Sequence, residues 1–347
     1  MTRTMALLLL VVGLAATSTA TATFTCNSTA NATCRSLVGF HPSTLTTYGA
    51  VADLFQVDLP SLLGANDLPA GTPSVGAVQS GAPVLVPIRC RCLNGTGRSD
   101  RTPLYTVQAG DVGLLNITAV WFGNLTTYQD IAAVNGLPNA NNIEVGQSLW
   151  IPLPCSCDEV GGEETVHLAH MVDPGSSVDA IATEFGTTPE TIISLNGNLD
   201  PTQLQAYQIL DVPLRACSSS ISNTSVDYGL RLANHSYVPT AGGCVTCSCS
   251  AATYRLECSQ SGESSVCPSP ATCRPNFFIG NTTSTSGCTA NTCAYAGYTN
   301  SSAAVSVLTT NATVTRTDCN DGGMSLQGVK WSGVALLVLH ILYICFQ

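Results

Sequence analysis

Charge is scarce in this chain of 347 residues: Asp, Glu, Lys and Arg together make up 10% of it, and the single lysine, Lys330, sits close to the C-terminus. With 12 Lys and Arg against 22 Asp and Glu, the surface offers no field for a polyphosphate. Nucleic acid and anionic lipid are therefore excluded as ligands, whereas a neutral glycan is compatible. Catalytic furniture is also thin. His41, His167, His170, His235 and His340 are scattered, and the paired acids Glu163 and Glu164 sit in a Gly-containing linker. A glycosidase needs two carboxylates held roughly 5–10 Å apart across a sugar, and no such pair is visible. Binding is expected rather than catalysis, without a cofactor or a metal. Zinc would require His or a second Cys-x-x-Cys near the Cys-x-Cys pairs, and neither is there.

What the chain does contain is a repeat. Tyr105-x-Val107-x-x-Gly110-Asp111 alternates as a strand does; Leu114, Ile117, Val120 and Trp121 fall at helical spacing. Ile131 and Val134 renew that spacing before Asn135-Gly136, and Gly146-Gln147-Ser148-Leu149-Trp150-Ile151-Pro152 closes as a second strand. The order strand, helix, helix, strand recurs downstream in His170-x-Val172-x-x-Gly175-Ser176, Phe185-Gly186, Leu195-Asn196-Gly197 and Gln208-x-Leu210-x-Val212-Pro213. Upstream, Phe55, Ala65-Asn66 and Val84-x-Val86-Pro87 hold corresponding places, without a Gly-Asp turn. Asp58, Thr127 and Thr188 are N-cap candidates for the second helix of each copy, with Asp130 three residues after Thr127 and Pro189 at a first helical position.

The ends read as processing signals. Arg3, the apolar run Met5–Ala16 and Ala20-Thr21-Ala22 form a secretory signal peptide over residues 1–22. At the other end, Asp321, Gly322 and Gly323 offer a small-residue attachment site. A more polar spacer and the apolar run Gly333–Phe346 follow, the order of a GPI signal over residues 320–347 whose tail is removed. Of 17 cysteines, Cys345 lies in that tail, and the remainder is an even number suited to full pairing in an oxidising compartment. Sequons at Asn27, Asn31, Asn94, Asn116, Asn124, Asn223, Asn234, Asn281, Asn300 and Asn311 fit a heavily glycosylated secreted surface.

Cys26 and Cys34 precede the first copy; Cys90-x-Cys92 and Cys155-x-Cys157 follow the first and second. Each Cys-x-Cys pair is expected to point to both sides of an extended segment and so to tie two different partners. Spacing alone leaves 15 connectivities for the six. From Cys217 to Cys319 the chain is Cys-rich with few long apolar runs, and is expected to be an irregular, disulfide-supported region. Within it the Ser/Thr-rich stretch Thr299–Thr317 reads as a glycosylated stalk.

The Tyr-x-Val-x-x-Gly-Asp opening, the Leu/Val-Asn after the second helix and the Gly-Gln-x-Leu-x-Ile-Pro close resemble the LysM module, which binds N-acetylglucosamine polymers. Three such modules separated by Cys-x-Cys pairs are similar to the plant extracellular LysM receptors for chitin and peptidoglycan, in particular the GPI-anchored LysM receptor-like proteins. The resemblance implies an α+β fold of three βααβ modules stapled by disulfides, with a Cys-rich region after them. The modules are a degenerate one at 23–92, a second at 105–152 and a third at 168–214, followed by 217–319. It implies the pairs Cys26 with Cys92, Cys34 with Cys157 and Cys90 with Cys155.

It also implies a shallow groove between two turns of the second module. One turn is Gln108, Ala109, Gly110, Asp111, Val112, Gly113 and Leu114; the other is Gly136, Leu137, Pro138, Asn139, Ala140, Asn141, Asn142 and Ile143. Gln108, Asn139, Asn141 and Asn142 would hydrogen-bond acetamido and hydroxyl groups, Leu137, Pro138 and Ile143 would meet N-acetyl methyls, and Asp111 is read as a helix N-cap. The expected ligands are chitin or peptidoglycan oligosaccharides. The expected partners are a LysM receptor kinase that carries the signal and related receptors in homo- or hetero-oligomers; a wall protein that crosslinks glycans without signalling is the alternative. A phospholipase specific for GPI anchors should release the protein from plant membranes. Retention after complete digestion, with the C-terminal peptide intact by mass spectrometry, would sink the anchor.

Overall fold

Helices begin in this chain where a short polar side chain can take an otherwise orphaned amide. Thr47 accepts from the Ala50 N–H at the start of α1 (Tyr48–Phe55), and Asp58 from Ser61 at α2 (Leu59–Ala65). Thr127 does so for α4 (Tyr128–Val134), Ser177 for α5 (Val178–Phe185) and Thr188 for α6 (Pro189–Leu195). Each such cap contributes about 1 kcal/mol. The exception is α3 (Leu114–Val120), whose N-cap Gly113 has no side chain to offer. The computed structural model describes residues 24–27, 32–250, 254–261, 267, 271–286, 289–300 and 305–315. The signal peptide, the GPI signal with Asp321, Gly322 and Gly323, Asn31, Cys288, Cys319 and Cys345 lie outside them.

The strands, in chain order, are β1 (Thr33–Phe40), the short β2 (Thr46–Thr47) and β3 (Ala77–Val78), β4 (Val84–Leu93), β5 (Thr96–Ser99), β6 (Leu104–Thr106) and β7 (Ser148–Trp150). After them come β8 (Thr165–Met171), β9 (Ile209–Cys217), β10 (Leu232–Ala233), β11 (Tyr237–Thr240), β12 (Val245–Ser250) and β13 (Arg255–Gln260). The register lays the repeat out: Tyr105 faces Leu149 in the antiparallel pair β6–β7, and His170 faces Leu210 in β8–β9. Phe40 faces Val84 in β1–β4. The opening strand of the first copy is thus Thr33–Phe40, which carries no Tyr-x-Val signal, and Leu45 and Thr46 stand where Gly110 and Asp111 stand in the second copy.

Three asparagines show why one residue recurs. The Asn135 side chain donates to the Ile131 and Trp150 carbonyls, both at 2.8 Å, and accepts the Trp150 N–H at 2.9 Å. Asn196 makes the same three bonds to Ile192 and Asp211, and Asn66 to Leu62 and Leu85. Each clamp ties the frayed C-terminus of the second helix to the closing strand, satisfying backbone groups that neither element can satisfy alone. A second recurrence is a ring contact between the end of the opening strand and the end of the first helix. Phe40 meets Phe55 at 5.0 Å, Tyr105 meets Phe122 at 5.8 Å and His170 meets Phe185 at 5.0 Å.

The copies do not stand apart. β1 runs parallel to β8, so the first and third share one six-stranded sheet in the order β10-β9-β8-β1-β4-β5. Phe55 also packs edge-on against Phe122 at 5.7 Å, which joins the cores of the first and second copies. Cystines close the arrangement: Cys26–Cys92, Cys34–Cys157 and Cys90–Cys155. Cys90 and Cys92, two residues apart, share the buried face of β4 instead of pointing to opposite sides, because side-chain direction in a strand repeats every second residue. They still reach different partners because the linker and the N-terminal segment both fold onto that face. The close approach is visible at Gly97, where a Cβ would collide with the Cys155 carbonyl.

Beyond Cys217 the chain is more regular than its composition suggests. β11, β12 and β13 form an antiparallel sheet with a buried–half-buried alternation along Val245–Ser250. Cys217–Cys249, Cys244–Cys267, Cys247–Cys258 and Cys273–Cys293 staple the region. Much of the supposed stalk is a strand as well, Val305–Thr315, next to Thr289–Asn300 in one sheet; runs of Val and Thr suit a pleated surface. This region docks on the first copy through α2. Gly64 lies so close to the Tyr237 carbonyl that a Cβ would collide with it, and the Tyr237 hydroxyl donates to the Leu68 carbonyl at 2.7 Å. Replacing Asn135 by Ala should cost about 2 kcal/mol, since it strands the Trp150 amide and two carbonyls. Non-reducing chemical denaturation measures it, and a loss under about 0.5 kcal/mol would mean that water takes over the clamp.

Candidate functional site

The two turns of the second copy meet. The Leu114 amide donates to the Ala140 carbonyl at 3.0 Å, and Gly113, with φ of 149°, lies where a Cβ would come within 2.9 Å of Asn141 Oδ1. The backbone angle calls for glycine here, while the contact is with the tip of a side chain that could move aside. Within the first turn Asp111 is the hub. Its Oδ2 accepts the Gln108 amide at 2.7 Å and the Tyr105 hydroxyl at 2.9 Å, and its Oδ1 accepts Trp121 Nε1–H at 3.2 Å. Asp111 is therefore not the helix N-cap expected from its place before α3; Gly113 holds that position, and the carboxylate closes the turn and ties it to two aromatic rings. Burial, followed by the neighbouring Asp111 carboxylate, pushes the Tyr105 phenol well above its usual range, which keeps it a donor.

The second turn is braced from within. Asn139 Oδ1 accepts the Asn141 amide at 2.9 Å, and the Asn139 carbonyl accepts the Asn142 amide at 3.1 Å. Gln108 spends its amide donor on the Thr106 carbonyl at 2.7 Å. Gln108, Ala109, Gly110, Val112, Gly136, Pro138, Asn139, Asn141 and Asn142 are exposed, while Leu137, Ala140 and Ile143 are half-buried against the core. Leu114 is fully buried, so its side chain belongs to the core and not to the groove surface. Periodicity could have warned of this, because Leu114 starts the same apolar stripe as Ile117. Val145 and Leu115, which sequence reasoning passed over, expose 70% and 63% of their surface in the continuations of these two turns.

The other copies build weaker versions. In the third, Ser176 donates its amide to Asp173, and Glu184 occupies the place of Trp121. In the first, an exposed Leu45 replaces Gly110.

Several titratable groups outside these turns are engaged in structure. His167 is buried with Nδ1 2.7 Å from Asp211 Oδ1 and Nε2 2.8 Å from the Asp158 carbonyl, so both ring nitrogens face acceptors, an arrangement that favours the imidazolium. Among the described residues, the partners of that ring are the Asp211 carboxylate and the Asp158 carbonyl and not a Ser, Thr or Cys nucleophile. Glu163 pairs with Arg215 at 3.3 Å and Glu164 with Arg231. The sulfurs that cluster, those of Cys26, Cys92 and Cys157 and of Cys34, Cys90 and Cys157, are all in cystines. Of the sequons, Asn27, Asn94, Asn124, Asn223, Asn281, Asn300 and Asn311 are exposed, and Asn116 and Asn234 are half-buried.

Two LysM domains match, at residues 105–152 and 170–213. The chain is 44% identical to the chitin elicitor-binding protein of Oryza sativa subsp. japonica over 330 residues, covering 93% of this chain and 91% of that protein. It is 44% identical to LysM domain-containing GPI-anchored protein 2 of Arabidopsis thaliana, covering 80% of this chain and 79% of the relative. It is 33% identical to LysM domain-containing GPI-anchored protein LYP6 of Oryza sativa, covering 79% and 69%. The fold and the two turns define a LysM protein. The chain belongs to the family of plant LysM domain-containing GPI-anchored receptor-like proteins.

Burial lowers the His170 pKa to about 4, against an opposing pull from Asp173, and His41 close by lowers it further. A histidine held neutral this way contributes stability that is complete above its unfolded value near 6.5 and lost as pH falls. Acidification from pH 6.5 to 5, before most carboxylates titrate, should lower the denaturation midpoint of the parent. In His170→Phe, which copies Phe40 of the first repeat, that fall should be visibly smaller; equal acid sensitivity would remove His170 from the account.

Proposed function

We propose that this protein is a cell-surface pattern-recognition receptor for N-acetylglucosamine-containing microbial glycans, chitin or peptidoglycan oligosaccharides. In this reading it is held by a GPI anchor at the outer face of the plasma membrane and signals through a LysM receptor kinase. The observation that carries the reading is the braced pair of turns in the second copy, where Asp111 and Asn139 fix backbone groups in advance while Gly110, Asn141 and Asn142 remain exposed. A neutral acetamido sugar needs such a surface of short donors and acceptors beside modest apolar contacts, here Leu137, Pro138 and Ile143. The acidic chain does not oppose it, since the N-acetylglucosamine units that would meet this groove carry no charge. The chitin elicitor binding for which the Oryza sativa relative is named supports the class of ligand.

The reading includes no catalysis: His167 with Asp211, and Glu163 and Glu164 with arginines, are committed to internal pairs. We also read residues 23–92 as a third, degenerate module: the Asn66 clamp and the Phe40–Phe55 contact repeat those of the matched copies. Its turns carry Leu45 in place of glycine and no carboxylate hub, so binding is assigned to the second copy.

Leu137→Asp puts a charge against the N-acetyl methyls, and should weaken chitin-oligomer and peptidoglycan binding at least tenfold in calorimetry. Leu137 is half-buried, so Val112→Asp, at a side chain 77% exposed, separates a lost contact from a lost fold. If both folded variants bind as the parent does, the second-copy groove is not the site, and the third copy with Gly175 and Asn198 takes its place.

A further inference from the structure

A second recess lies between the first copy and the Cys-rich region, a cleft of about 690 Å³, within the size range of small-ligand sites. Arg35 of β1 and Arg89 of β4 both line it and stand directly opposite each other across the antiparallel pair. Like charges so placed repel. Arg89 is mostly exposed and leans on Asp100 at 3.8 Å and Thr33 at 3.5 Å. Arg35 is different: its guanidinium makes no hydrogen bond or ion pair with any of the described residues, although five N–H donors in a recess call for an acceptor.

The two nearest carboxylates explain why. Asp58 and Asp227 also line the cleft, but Asp58 is held by capping α2 through the Ser61 amide. Asp227 takes hydroxyls from Ser225, Thr240 and Tyr295, the last two at 2.9 and 2.6 Å. Both acids are fixed by other bonds and leave Arg35 open.

We propose that this cleft binds a carboxylated saccharide, whose carboxylate forms the bidentate pair that the chain itself withholds from Arg35. A planar monoanion matches a planar fork of donors. Arg35 and Arg89 balance Asp58 and Asp227 in the lining, so a carboxylate adds one uncompensated negative charge to the cleft and a dianionic phosphate adds two. The rest of the lining suits a sugar: Tyr228 and Tyr298 supply rings, and the recess presents acceptors as well as donors to hydroxyl groups. Burial already holds the Arg35 guanidinium below its ordinary range, as expected for a cation without a partner. The site is separate from the groove of the second copy, so neutral and acidic glycans would be read in two places.

The test uses the full ectodomain and calorimetry with three probes. N-acetylmuramic acid, with a free carboxylate on its lactyl group, is a bacterial carboxylated sugar, trigalacturonate a plant-wall one, and chitotetraose the neutral control. Binding of either acid by the parent, lost at least tenfold in Arg35→Met while chitotetraose affinity stays unchanged, supports the cleft, and the acid that binds identifies the source. Failure of both acids to bind the folded parent overturns the proposal, and so does equal affinity in Arg35→Met. Should that variant not fold, Tyr228→Ala, at a side chain 65% exposed, decides the matter. A several-fold loss for the acid alone supports the site, and no change overturns it.

Discussion

A strand–helix–helix–strand unit of under fifty residues cannot bury enough apolar surface to hold itself together, and most of this architecture follows from that shortage. The first and second copies solve it by sharing rings. Phe55 belongs to the first by its contact with Phe40 and to the second by its contact with Phe122. The first and third solve it by sharing a sheet through β1 and β8. Cystines then close long loops, 65 to 123 residues apart in sequence, where a crosslink removes the most freedom from the unfolded chain. The result is one body in which no copy is independent of the others.

Local signals in the sequence were readable because each has a local cause. The N-caps Asp58, Thr127 and Thr188 stand where a short side chain meets an orphan amide, and Asn135 and Asn196 where the clamp needs both a donor and an acceptor. What escaped depends on partners far away in the chain. The parallel pairing of β1 with β8 joins residues separated by more than a hundred positions, and β1 lacks any motif because its mates in β4 and β8 define it. Asp111 looked like a cap because it precedes a helix; only the folded turn brings Tyr105 and Trp121 to its two oxygens. The Cys-rich region read as irregular because its strands carry few long apolar runs, and its order rests on cystines whose pairing the sequence leaves open.

Electrostatics divides the surface in a way that net charge hides. The excess of acids is spread over helix caps, turn closures and surface pairs such as Arg98 with Asp130 at 3.5 Å, where carboxylates serve as fixed acceptors. Asp100 is an example, held below the usual carboxylate range chiefly by its hydrogen bond to Arg91. A chain with few cations that leaves the half-buried Arg35 without a partner among the described residues departs from its own pattern, since the buried His167 and Asp211 are matched to each other.

The three copies differ most in how their first turn is fixed, and that difference ranks them. In the second, one carboxylate makes three bonds and leaves the turn little freedom to lose when a ligand arrives. Ser176 in the third copy cannot reproduce this, because a hydroxyl lacks the second oxygen, and Glu184 at the place of Trp121 brings no indole donor. What remains there is the backbone bond from Ser176 to Asp173, the counterpart of the one from Asp111 to Gln108. In the first copy the turn also bears an exposed leucine. If affinity in these modules follows the rigidity of the turn before binding, it falls from the second copy to the third, and the first is left as a packing unit whose α2 carries the Cys-rich region.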